Sequence, residues 1–155
     1  MKIRFCSCKG VTLIELVVTM AILTILSTGI LPLSVISSKR VKELELKQNL
    51  RIIRQAIDKY KDFSDKGLIP LDGLMSGYPK NLEILVEGVE IKGPVPYKKK
   101  FLRRIPKDPM VEDGKWGLRS YSDDPASEVW GGQDVYDIYT RCDKQALDGT
   151  YYKDW

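Results

Sequence analysis

The sequence contains no histidine. That removes histidine-based triads, the common zinc sites and imidazole acid–base chemistry. Cysteine is scarce: Cys6, Cys8 and Cys142 are the only three. The first two lie ahead of the long apolar run, whereas a lipidated cysteine follows one, so lipidation is not expected. Cys142 has no partner later in the chain and reads as a free buried thiol or, as a minor option, an intermolecular disulfide. No phosphate-cradling glycine loop is present, because Gly131-Gly132 lacks the required pattern. Asp123/Asp124 and Asp134/Asp137 are carboxylate pairs, but acid–base catalysis needs a cleft and separated pKa values, and the sequence supplies neither. The chain reads as a protein that is not an enzyme. Charge is missing where its absence matters most. From Gly10 to Ser38 the only charged side chain is Glu15.

That run is long enough to cross a bilayer as a helix, since a span needs about 20 apolar residues. A lone carboxylate near its start costs about 2.5–3.5 kcal/mol if unpaired at mid-membrane, so Glu15 needs a reason. The order of parts is unlike a secretory signal, which runs basic region, apolar region, cleavage site. Here the basic, small-residue junction Lys9-Gly10 precedes the apolar run. Cutting there keeps the helix and creates an amine on Val11, one helical turn from Glu15. A buried Glu15 would meet that amine or a neighbouring copy's. The helix dipole adds a smaller favourable term.

Beyond Ser38 the pattern turns amphipathic. Leu46, Leu50, Ile53, Ile57 and Tyr60 fall on one helical face, with Lys47, Arg51, Arg54 and Lys61 elsewhere. One helix is predicted from Val11 to about Phe63, its apolar course loosened or kinked at Gly29 and Pro32. Residues 65–78 read as loop, and 81–87 as a short helix capped by Asn81 and stopped at Gly88. Gly93-Pro94-Val95-Pro96 reads as extended. Trp116–Tyr121 and Val135–Tyr139 read as strands, and Tyr151-Tyr152 as the start of a third. The expected fold is α+β, with a small antiparallel sheet packed on the second half of the long helix.

Charge is polarised along the chain. Residues 39–110 hold 17 Lys/Arg against 10 Asp/Glu, a net of +7; residues 111–155 hold 5 against 10, a net of −5. Such polarity suits head-to-tail self-assembly; the plainer reading is two differently solvated faces. The cluster Lys98-Lys99-Lys100-Phe101-Leu102-Arg103-Arg104 has one aromatic and no recognisable binding motif. A solvated or filament-contact surface is therefore expected rather than a nucleic-acid site.

Lys9-Gly10-Val11-Thr12-Leu13-Ile14-Glu15-Leu16 resembles the class III signal of type IV prepilins and type II secretion pseudopilins. The resemblance implies a leader over 1–10, cut after Gly10 by a prepilin peptidase that methylates Val11. It also implies that Glu15 guides docking into a filament. Valine stands where the first mature residue is usually phenylalanine, and Pro32 stands where many type IV pilins carry a proline. Leu102–Pro109 and Val135–Tyr139 resemble the Pro-x-Asp-Pro segment and the Asp-Ile strand of major pseudopilins. A transmembrane and filament-core helix over 11–38 and a periplasmic pilin-like domain over 39–155 are then implied, anchored in the inner membrane. The implied partners are other copies, minor pseudopilins and an assembly platform. Major pseudopilins bind calcium after the Asp-Ile strand, which here points to Asp137, Asp143 and Asp148. The segment Thr140–Thr150 departs from the usual serine/glycine-rich turn and adds Arg141 and Lys144. The alternatives are a type IV pilin for adhesion or motility, and an uncleaved, signal-anchored binding domain.

Overall fold

The computed structural model describes residues 10–70, 76–93, 97–125 and 127–155; at 28–34 it describes the backbone alone. Residues 1–9 of the expected leader, with Cys6 and Cys8, the loop residues 71–75 and the extended Pro94–Pro96 therefore lie outside the described residues, as do the side chains of Ile30 and Pro32. The chain divides into two units, Met1–Lys39 and Arg40–Trp155.

Helix α1 runs over Leu13–Asp65. Thr12 starts it: its hydroxyl accepts the Glu15 amide N–H at 3.3 Å, and its carbonyl accepts that of Leu16. Thr12-Leu13-Ile14-Glu15 thus has the spacing of a capping box, an N-cap threonine followed three residues later by glutamate. The helix assignment continues through Gly29 and Pro32.

In the second unit the apolar stripe of α1 forms the core. Leu46, Leu50, Ile53, Ile57 and Tyr60 are all buried, as expected from their spacing, and Ala56 joins them. Helix α2, Glu83–Glu87, follows a loop. The Asn81 side chain accepts the Ile84 amide at 3.1 Å, which satisfies one of the helix's open donors. Gly88 ends it at φ 86°, and a Cβ there would stand 2.6 Å from the Lys99 carbonyl oxygen. Only glycine suits both the torsion and the approach.

The strands form two antiparallel pairs rather than one sheet. β1, Val89–Ile91, pairs with β2, Tyr97–Lys99; β3, Gly117–Arg119, pairs with β4, Asp137–Tyr139. Between β2 and β3 the chain passes through Pro106 and Pro109, which have no N–H to give a ladder. It is held instead by other bonds. The Phe101 and Leu102 amides donate to the Leu85 carbonyl, and the Trp116 indole donates to Pro106 O at 2.8 Å. Gly117 lies under the Tyr139 ring, where a Cβ would come within 2.3 Å. The expected third strand is a single bridge, Gln145 to Tyr151, followed by a 3-10 turn over Tyr152–Asp154. The fold is α+β: a long N-terminal helix with small antiparallel sheets.

Candidate processing and assembly site

The first unit owes its chemistry to one contrast. Its described apolar side chains are exposed, Leu13 at 82% and Ile14 at 72%. Thr19, Thr24 and Ser27 turn their hydroxyls back onto the helix, donating to the carbonyls of Leu16, Met20 and Leu23 at 2.8–2.9 Å. Such bonds hide the hydroxyls inside the helix's own backbone. Glu15 is different. Its carboxylate makes no hydrogen bond or ion pair among the described residues. It is therefore the one polar side chain of residues 13–27 without a partner, on a surface that is otherwise apolar. Gly10, at the proposed scissile bond, is exposed, and a side chain there would meet nothing within 4 Å. Val11 beside it is 70% exposed. A peptidase would find both residues open. Among the described residues no helix is long and apolar enough to cross a membrane. The apolar run of the sequence passes through 28–34, whose side chains lie outside that description.

In the second unit, the three aspartates expected to bind calcium do not come together. Both oxygens of Asp137 are taken by Arg54, from Nε at 2.7 Å and Nη2 at 3.1 Å. The Asp148 carboxylate accepts the Thr150 amide and hydroxyl, which hold its pKa below the usual carboxylate range. Asp143 is exposed, with Lys153 Nζ 3.7 Å away. Among the described residues no three acidic or cysteine side chains converge as a cation site. A hard cation needs several oxygens at once, so this arrangement does not fit calcium.

Sequence reasoning missed the contacts that fix the C-terminal segment. Glu43 on α1 accepts both the Leu147 amide and the Tyr152 hydroxyl at 2.8 Å. Burial first, then that carboxylate, push the Tyr152 phenol well up. Lys47 Nζ lies 3.9 Å over the Trp155 ring. The only sequence signal was the four-residue step from Glu43 to Lys47, which puts both on one side of α1. Cys142 is a buried free thiol.

The prokaryotic N-terminal methylation motif matches residues 6–31. No curated protein and no solved structure matches the chain. The motif supports a type IV pilin-like or pseudopilin subunit, and implies processing by a prepilin peptidase and assembly into a filament. It points to a structural subunit rather than an enzyme, with a membrane-anchored N-terminus.

Proposed function

We propose that this chain is a structural filament subunit, the major pseudopilin of a type II secretion system. It is cut after Gly10 and methylated on Val11. It waits as a single-pass protein of the inner membrane with residues 39–155 in the periplasm. Assembly extracts the helix over 11–38 and stacks it against other copies, in company with minor pseudopilins and an inner-membrane platform.

The unpartnered Glu15 carboxylate on an apolar helix is the observation that carries this reading. Stacking exchanges lipid for helix packing and gives the carboxylate a neighbour's N-terminal amine. An anion buried without such a partner would be strongly disfavoured. Glu15→Ala should leave a cleaved, membrane-held monomer and abolish filaments sheared from cells expressing it. Normal filament yield from Glu15→Ala would sink the reading. A type IV surface pilin shares the same N-terminal features. Such pilins commonly close a C-terminal loop with a disulfide. Here Cys142 stands alone after the cut, buried and free, which favours the pseudopilin.

A further inference from the structure

Residues 120–140 hold five acids, Asp123, Asp124, Glu128, Asp134 and Asp137, and no Lys or Arg. They also present an apolar tip. Val129 is 78% exposed and Trp130 37%. The tip is tightly held. Ser120 and Gly131 donate their amides to the Asp123 carboxylate at 2.8 and 3.0 Å. The Trp130 indole donates to Asp134 O at 2.7 Å, Tyr139 OH donates to Glu128 O, and the Ser127 hydroxyl donates to Val129 O. A surface already fixed in shape loses little entropy on docking.

The same unit carries a groove of opposite character. It has a volume of about 630 Å³ and runs between α1 and residues 102–107. Its apolar wall includes Ile52, Leu102, Ile105 and Pro106; three cations, Arg103, Arg104 and Lys107, line it against one acid, Glu45 on α1. Asn49 closes it by donating to the Lys107 carbonyl at 3.0 Å. None of the three rim cations has an ion pair among the described residues. Ile52 is 36% exposed.

We propose that this groove receives the Glu128-Val129-Trp130 tip of a second copy of the chain. Val129 and Trp130 would cover the Ile52–Pro106 wall, while the exposed Glu128 faces Arg103, Arg104 and Lys107. Among the described residues Glu128 has one competing cation, Lys153 at 3.4 Å, a long and exposed contact that is easily exchanged. Tip and groove share no residue, so one tip-in-groove contact is heterologous and, repeated from copy to copy, builds an open helix when its rotation does not close into a ring. The proposal rests on the filament reading and adds the surface that sets the register between neighbouring subunits.

The test uses two differently tagged full-length chains, Ile52→Cys and Val129→Cys, co-expressed in the native host with its prepilin peptidase, minor pseudopilins and assembly platform, and mildly oxidised. A disulfide-linked heterodimer should form only when both are present. Adding Arg104→Glu to the first chain should cut its yield several-fold, and Glu128→Arg on the second should restore it. Wild-type filaments assembled from isotope-mixed subunits provide a second readout free of substitutions. A carbodiimide should join Lys107 to Glu128 between copies. Chains that are cleaved and form filaments, yet give neither crosslink, overturn this contact and leave the filament reading standing. Chains that are not cleaved, or are cleaved and form no filament, overturn the filament reading and this contact with it; the N-terminal mass and the sheared fraction tell these cases apart.

Discussion

At the scale of single residues, the buried side-chain polar atoms among the described residues find hydrogen-bond partners apart from Asp108 Oδ2, while Glu15 stands without one on an apolar surface. Asp123 is partnered as well. Its carboxyl is held below the usual range by the Ser120 amide first and the Gly131 amide second. A carboxyl with a lowered folded pKa adds stability above its unfolded value, about 3.9, and loses it as the pH falls through the folded value. Thermal unfolding of detergent-solubilised protein should therefore show wild type and Asp123→Asn converging below about pH 4. A difference that stays constant with pH would count against that role. Arg54 and Asp137 make a second residue-scale contact, a two-pronged ion pair joining α1 to β4. Both side chains are partly exposed, so solvent screens the pair. Arg54→Ala should cost about 1 kcal/mol in urea unfolding, and an unchanged midpoint would show the pair to be dispensable.

Among elements, α1 was the most legible in the sequence. The spacing of Leu46, Leu50, Ile53, Ile57 and Tyr60 fixes which face is buried before any coordinates are known, because a helix repeats every 3.6 residues. Ile57 is 1% exposed; Ile57→Ala should destabilise the domain by about 2–5 kcal/mol, read as a fall in the unfolding midpoint. The strands were harder. Each is three residues long, too short for alternation to show. Their pairing depends on partners far away in sequence, such as Leu118 with Ile138. The β1–β2 pair escapes the sequence because Lys98 and Lys99 read as the start of the charge cluster over Lys98–Arg104; the pairing partner that makes Tyr97–Lys99 a strand is Val89–Ile91. The C-terminal turn was misread for a similar reason. Tyr151-Tyr152 has strand composition, but Tyr152 is drawn to Glu43 on α1. Limited proteolysis should detect that tether: Glu43→Ala should speed cleavage within 143–155, and an unaltered digestion pattern would show that the segment holds without it. The candidate calcium ligands were suggested by a resemblance. Arg54, 83 residues before Asp137, claims that carboxylate, a pairing no local pattern reveals.

For the whole molecule, the charge polarity along the chain gains a physical use. The basic segment supplies a groove rim and the acidic one a firm apolar tip. Paired between copies, they join opposite charges that a monomer leaves apart. The apolar helix and its lone carboxylate raise the same question at the other end of the chain. In the proposed filament both would gain partners from a second copy. In the proposed filament, assembly begins with removal of residues 1–10. The intact mass of the protein extracted from its native membrane tests it most directly. The expected mass is that of a chain beginning at Val11 and carrying one added methyl group. A chain that keeps residues 1–10, in cells with an active prepilin peptidase, would contradict it.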